Sequence, residues 1–78
     1  MPHYYFNVYN DDITMDDEGA ELADLTAARA RAVKEARALA ADTVLRGHFV
    51  AHHRIDIVDE QRNPVGSVRF DEAVELRQ

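Results

Sequence analysis

The sequence predicts an α+β domain in which one long helix packs on a small antiparallel or mixed sheet. Three observations lead to this fold class. A long alanine-rich segment carries apolar residues at helical spacing, an aromatic segment before it alternates like a strand, and two strand-like segments follow it as a hairpin. The predicted element order is β(β)αββ, and the 78 residues are expected to form a single domain, residues 1–78.

The N-terminal strand is predicted from residues 3–9, where aromatic residues and valine recur at every second position. Tyr4, Phe6 and Val8 share one face, which we assign to the helix. An Asn-Asp-Asp turn signal follows. Residues 13–15 are then expected to form a short return strand, which gives an N-terminal hairpin.

The long helix is predicted for about residues 24–46, because alanine has the highest helix propensity and start and stop signals flank the segment. Asp24 is placed to cap the first turn, and Gly47 is suited to end the helix in a left-handed conformation. A stripe of mostly small residues is expected to face the sheet. This stripe consists of Leu25, Ala28, Ala32, Ala36, Leu39, Ala40 and Thr43.

The C-terminal hairpin is predicted for residues 54–70, with a turn at the Asn-Pro pair. Matching apolar side chains and opposite charges across the two strands places Ile57 opposite Val68 and Asp56 opposite Arg69. The remaining C-terminal residues are expected to form a short turn of helix or a frayed tail.

Composition excludes several classes of function. The absence of cysteine excludes disulfides, thiolate zinc sites and cysteine nucleophiles. The chain contains no apolar run as long as a membrane span and does not open like a signal peptide, so we expect a cytoplasmic protein without membrane contact. A net charge of −6 disfavours binding to nucleic acid, because a phosphate backbone would be repelled.

Two groups of residues raise the alternative of a small metal-binding protein. Seven acidic residues and no basic ones lie between Asp11 and Asp24, but their spacing does not match a calcium-binding loop. His48, His52 and His53 are close in sequence, yet the spacing of the first two suits zinc only on a helix, which is expected to end before them. A solvated acidic loop is the favoured interpretation, and we predict no metal site and no cofactor.

Catalytic motifs are missing from the sequence. There is no glycine-rich phosphate loop, no G-x-S-x-G and no H-E-x-x-H, and Ser67 is the only serine. A chain of this size also has difficulty enclosing a pocket of about 300 Å³. We therefore predict a protein that is not an enzyme and has no catalytic residues.

The outer sheet face is the predicted interaction surface, because a single helix covers only one side of a sheet. Tyrosine is enriched at interfaces, since it offers apolar area and a polar tip. The expected partner is a second copy of the chain or another protein, while a half-polar solvated face is an equal alternative. The predicted interface residues are Tyr5, Asn7, Tyr9, Val58 and Ser67.

Four motifs follow one another along the chain: M-P-x-Y-[YF]-F at residues 1–6, D-E-G-x-E-L-x-D-L at residues 17–25, an Ala/Arg-rich helix and the hairpin strand at residues 55–60. This ordered set resembles a family of short bacterial proteins of unknown function, common in alphaproteobacteria. The resemblance covers nearly the whole chain. It implies a compact α+β domain and carries over no functional residues. The first turn departs from it, because Asn10-Asp11-Asp12 lacks the glycine often present there.

The chain is also similar, more faintly, to antitoxins of the HicB type. These run from an aromatic strand through an acidic turn and a P-D-L-like segment, here residues 22–25, into an Ala/Glu-rich helix. No separate DNA-binding segment is present. The similarity therefore implies a small regulator that binds a basic protein partner, with the acidic segment as the contact.

Overall fold

The computed structural model describes residues 1–75 and 77. In it, the segments with alternating and helical patterns form five strands and two helices. The elements are β1 (His3–Tyr9), β2 (Ile13–Thr14), β3 (Ala20–Glu21), α1 (Leu25–Leu45), β4 (Arg54–Val58), β5 (Pro64–Arg69) and α2 (Phe70–Ala73). The predicted α+β fold class and element order are confirmed. The short strand β3 lies in a segment that the sequence predicts as a loop.

The sheet is antiparallel throughout and has the order β2-β1-β4-β5. β3 pairs with β1 on the same side as β2, so two short segments share one edge of β1. β1 and β4 form the central ladder, in which Phe6 lies opposite Ile57 and Val8 lies opposite Ile55. These two pairs place Phe6, Val8, Ile55 and Ile57 on the inner face, as predicted.

The register of the C-terminal hairpin corrects the prediction by two residues. The prediction placed Asp56 opposite Arg69 and Ile57 opposite Val68. The observed pairs are Arg54 with Arg69, Ile55 with Val68, Asp56 with Ser67, Ile57 with Gly66 and Val58 with Pro64. The register shifts at a β-bulge in which Val65 is the additional residue on β5. Because the difference is an even number of residues, the inner and outer faces of both strands remain as predicted.

The turn between β4 and β5 explains the changed register. The Asp59 carboxylate accepts hydrogen bonds from the backbone N–H groups of Gln61 and Asn63 at 3.0 and 2.9 Å. Arg62 adopts a positive φ of 65°, which is uncommon for a residue with a side chain. The turn therefore occupies residues 59–63, between the paired residues Val58 and Pro64, and it sets a register that strand matching alone did not give.

Helix α1 begins and ends as predicted. The Asp24 side chain accepts from the Ala27 N–H at 2.9 Å and caps the first turn. Gly47 has a φ of 95° and its N–H donates to the Val44 carbonyl at 2.9 Å. Leu25 differs from the predicted stripe because it is 42% exposed. As the first helical residue, it directs its side chain toward the helix N-terminus and beyond the sheet.

The core lies between α1 and the inner face of the sheet. The helix contributes small side chains, and the sheet and α2 contribute large ones. This pairing lets the helix backbone approach the sheet closely. The core residues are Tyr4, Phe6, Ala28, Ala32, Ala36, Ala40, Ile55, Ile57, Val68, Phe70 and Ala73.

The C-terminal residues form one short helix, α2, in agreement with the first of the two predicted alternatives. The Glu72 carboxylate accepts from the Arg69 N–H at 3.1 Å, which stabilises the first turn. The prediction also covered Leu76 and Gln78, which lie outside the described residues.

The free edge of β5 is protected against the addition of another strand. Pro64 carries no N–H, and Glu72 occupies the N–H of Arg69. Arg29 of α1 reaches across and donates to the Ser67 carbonyl at 3.3 Å. A partner is therefore expected to bind a face of the molecule rather than this edge.

The helix–sheet spacing can be tested by enlarging one alanine. We expect Ala36→Leu to lower the free energy of unfolding by about 1–3 kcal/mol, because Ala36 is fully buried against the sheet and added methylene groups overpack the core. Ala38→Leu is the matched control, since Ala38 is exposed on the same helix. Urea unfolding measures both, and equal stabilities of the two variants would contradict the packing described.

Candidate functional site

The outer face of the sheet carries all five predicted interface residues. They come from three adjacent strands and form cross-strand rows. In the middle row, Asn7 lies opposite Asp56, and Asp56 lies opposite Ser67. The Asp56 carboxylate accepts from the Ser67 hydroxyl at 2.9 Å and from Arg54 Nε at 3.0 Å. The middle row is therefore a hydrogen-bonded polar strip.

Two tyrosines lie on either side of this strip, and each is covered by an arginine. The Arg62 guanidinium carbon lies 3.8 Å from the ring centroid of Tyr5, and that of Arg54 lies 4.2 Å from the ring centroid of Tyr9. Both distances are within the range of cation–π attraction. The two stacks hold the guanidinium groups in place on the outer face.

The five predicted residues differ in how much surface they offer. Asn7 and Val58 are buried, at 4% and 8% exposure, so they form the floor between the two stacks. Tyr5 and Tyr9 are half-buried and Ser67 is exposed. An interface here remains a prediction, and its accessible part consists of the tyrosines, the serine and the two arginines.

The buried Asn7 connects the outer face to the acidic segment through the backbone of Asp16. Asp16 donates its N–H to Asn7 Oδ1 at 2.9 Å. Its carboxylate accepts from the N–H groups of Phe6 at 3.0 Å, Glu18 at 3.1 Å and Gly19 at 3.0 Å. On this edge of β1, the residues between those paired with β2 and β3 have no strand partner. Asp16 supplies a hydrogen-bond acceptor there.

This arrangement changes the pKa of Asp16. Partial burial alone would raise the pKa of the carboxyl group. The hydrogen bonds from Gly19, Phe6 and Glu18, together with the charge of Arg31, stabilise the carboxylate more strongly and hold its pKa below the ordinary value. Asp16 is therefore ionised at neutral pH and serves to close the loop.

Gly19 is required where the loop returns to β1. It has a φ of 65°, and a Cβ at this position would lie 2.7 Å from His3 Nε2 and 2.9 Å from Tyr5 Cδ1, with a still closer contact to the Tyr4 carbonyl oxygen. Only glycine therefore allows the acidic segment to pack against the strand.

Among the described residues, one pair of the predicted metal-ligand candidates is in contact, since the Asp11 carboxylate lies 3.6 Å from His53 Nε2. Among residues 1–75 and 77, no group of three or more histidine and acidic side chains is arranged to hold an ion. His48 and His52 are exposed, whereas His53 is buried and packs edge-on against Phe70 at 5.6 Å between ring centroids. His53 belongs to the core of the structure, which the sequence did not indicate.

The sequence did not indicate two sets of surface residues. The first set is the pair Arg54 and Arg62, which stack on the tyrosines. The stacking of Arg54 on Tyr9 could have been inferred from their cross-strand pairing, whereas that of Arg62 depends on a turn conformation that the sequence did not indicate. The second set lines an open apolar groove of about 850 Å³, which we call the C-terminal groove. Its residues are Arg37, Ala40, Ala41, Val44, Leu45, Phe49, Asp71, Val74 and Glu75.

The only signal for this groove was the pair Val44 and Leu45, two apolar residues of α1 that lie outside the predicted stripe. They are 58% and 87% exposed. The other apolar residues of the groove, including Phe49 and Val74, come from separate segments that only the fold brings together.

Comparison with known proteins assigns a family but no activity. Residues 3–71 match the family described as Domain of unknown function (DUF6894). No curated protein and no solved structure shows significant similarity to the chain. In the part of the chain that the structure describes, neither helix has the length and apolar character needed to cross a membrane.

The role of Asp16 predicts a specific dependence of stability on pH. Because its folded pKa is depressed, its stabilisation is present above the ordinary carboxyl pKa and is lost as pH falls through the folded pKa. We expect Asp16→Asn to lower the free energy of unfolding by about 1–3 kcal/mol near neutral pH. Asp17→Asn is the control, since Asp17 is exposed.

Urea unfolding over a series of pH values measures this effect. The difference in stability between the wild type and Asp16→Asn should shrink as pH falls below about 4. A difference that stays constant, or that Asp17→Asn reproduces, would refute the assignment.

Proposed function

The chain belongs to the DUF6894 family, whose description assigns no function, and we propose that it is a non-enzymatic protein-interaction module of the bacterial cytoplasm that binds its partner through the outer sheet face. The single observation that carries the proposal is the pair of arginine–tyrosine stacks on that face. Tyrosine and arginine are the residue types, together with tryptophan, that dominate binding energy at protein interfaces.

The conformational cost of binding favours this face. Long side chains normally lose rotamer freedom when they enter an interface. Arg54 is already held by Tyr9 and by Asp56, and Arg62 by Tyr5 and by the Asp16 carbonyl oxygen, to which it donates at 3.3 Å. Side chains that are ordered before binding lose less entropy on contact, so the same contacts give higher affinity.

The donors that remain on the two arginines suggest the chemistry of the partner. A guanidinium group has five N–H donors, and the described hydrogen bonds of Arg54 and Arg62 use one atom of each. Tyr5 and Tyr9 are four residues apart on one strand, which separates the stacks by about 13 Å. We expect a protein surface that combines apolar area with carboxylates at about this spacing.

The acidic segment favours a second candidate function, that of a small regulator of a basic protein, as in the HicB-like interpretation. Asp16 uses its carboxylate to close the loop, and Asp24 uses its carboxylate to cap α1. The exposed acidic residues of this segment are Asp11, Asp12, Asp17, Glu18, Glu21 and Asp24. A cluster of exposed carboxylates attracts a basic surface, and such binding weakens with salt.

The two candidates are distinguished by cross-linking in cells that express the protein natively, followed by mass spectrometry of the products. We expect the double variant Tyr5→Ser/Tyr9→Ser to reduce recovery of the partner at least tenfold, because loss of an interface hot spot costs about 2 kcal/mol or more. Lys34→Ala is the matched control, since Lys34 is exposed on the opposite side of the domain.

Circular dichroism of each variant establishes that the fold is retained. A partner that is lost with Asp12→Asn/Asp17→Asn but retained with the tyrosine variant would favour the acidic segment instead. Partner recovery that is equal for all of these variants would eliminate both candidates.

A further inference from the structure

The placement of charges on the outer sheet face specifies what kind of segment it binds, an inference that rests on the proposed function. Along β1, the outward residues Tyr5, Asn7 and Tyr9 mark three successive rows, which residues of β4 complete. The guanidinium group of Arg62 lies over the first row and that of Arg54 over the third. The face therefore carries a positive charge at each of its two ends along the strand.

These two guanidinium groups keep donors that the chain itself does not use. Arg62 is exposed and has no carboxylate partner among the described residues, since its one described bond goes to the backbone carbonyl of Asp16. Arg54 uses Nε for its bond to Asp56, which leaves the N–H groups of its two Nη atoms. Arg69, by contrast, spends Nε and Nη2 on one carboxylate of α2. Arg62 and Arg54 are thus the cations that the face offers to a partner.

The spacing of the two guanidinium groups selects the conformation of the bound segment. Because Tyr5 and Tyr9 are four residues apart on one strand, the two stacks lie about 13 Å apart. Side chains at i and i+4 of an extended segment have the same separation and point to the same side. In an α-helix, the position at a similar distance is i+8, about 12 Å along the axis, and it is rotated by about 80°. An extended segment therefore matches the face better than a helix does.

The middle row determines which residue fits between the two carboxylates of such a segment. Asp56 Oδ1 accepts both described hydrogen bonds of its carboxylate, from Ser67 and from Arg54. Its second oxygen, Oδ2, accepts none of the described bonds, and the Asp56 side chain is 22% exposed. Because the floor of this row is closed by the buried Asn7 and Val58, the space above it suits a short side chain with a hydroxyl donor.

We propose that the outer sheet face binds an extended acidic segment of a partner protein, with carboxylates at i and i+4 and a short hydroxyl side chain at i+2. The corresponding sequence pattern is Glu-x-Ser-x-Glu. One carboxylate contacts Arg62 and the other contacts Arg54, while the hydroxyl group donates to Asp56. Two carboxylates at this spacing are complementary to the two available cations of the face.

A nucleic acid fits the same face less well than such a segment. The net charge of −6 repels a phosphate backbone, which carries a charge at every nucleotide. Single strands also bind by stacking their bases on aromatic rings. Tyr5 and Tyr9 are half-buried and each ring is covered by an arginine, so little of either ring is open to a base.

Short synthetic peptides with capped ends test the spacing directly, and amide NMR spectra of the isotope-labelled protein measure their binding. The probe peptide carries Glu at i and i+4 and Ser at i+2. The control peptide has the same composition with Glu at i and i+3, which places the two carboxylates on opposite sides of an extended chain. We expect the probe peptide to bind at least about tenfold more tightly than the control and to shift signals of β1 rather than of α1.

Substitution of each arginine tests the assigned contacts. Arg62→Gln and Arg54→Gln each remove one cation and should weaken binding of the probe peptide about tenfold. Arg46→Gln is the matched control, because Arg46 follows the end of α1, is exposed and pairs with Asp42. Circular dichroism of each variant establishes that the fold is retained.

Several results would overturn the proposal. These are equal binding of the two peptides, binding that Arg62→Gln and Arg54→Gln leave unchanged, or a wild type that binds neither peptide up to about 10 mM. Binding of a single-stranded oligonucleotide in place of the peptides would identify nucleic acid as the ligand instead. If neither peptide binds while recovery of the partner in cells still depends on Tyr5 and Tyr9, the extended acidic segment is excluded and the proposed function stands.

Discussion

The packing of an alanine face on an aromatic and aliphatic sheet is the constraint on which the rest of the structure depends. Ala28, Ala32, Ala36 and Ala40 are almost completely buried and contribute little volume, so the sheet and α2 must supply the bulk of the core. Because the helix supplies small side chains and the sheet supplies large ones, a single helix can close the core of a very small domain. It also leaves two surfaces without an internal partner, which are the outer sheet face and the flank of α1 that carries Val44 and Leu45.

The edge of β1 depends on a single carboxylate. β2 and β3 each pair with β1 over only two residues, and between them the strand would have unpaired backbone groups. Asp16 fills this gap by accepting from Phe6 and by donating to the buried Asn7. The acidic segment is therefore structural at Asp16 and at the helix cap Asp24, while its other carboxylates are exposed. Net charge and spacing alone could not separate these two roles.

The sequence predicted those features that arise from local patterns. The caps at Asp24 and Gly47 and the inner face of β1 each follow from propensity or periodicity, and all were confirmed. The hairpin register was wrong because it depends on side-chain hydrogen bonds in a turn and on the positive φ of Arg62. The same conformation places Arg62 on Tyr5, so an error in a turn became an error in the composition of the outer face.

The C-terminal groove was missed for a different physical reason. Its apolar residues are far apart in the sequence, and none of the segments that supply them is amphipathic enough to indicate an interface alone. Only the packing of the segment after α2 beside α1 joins them.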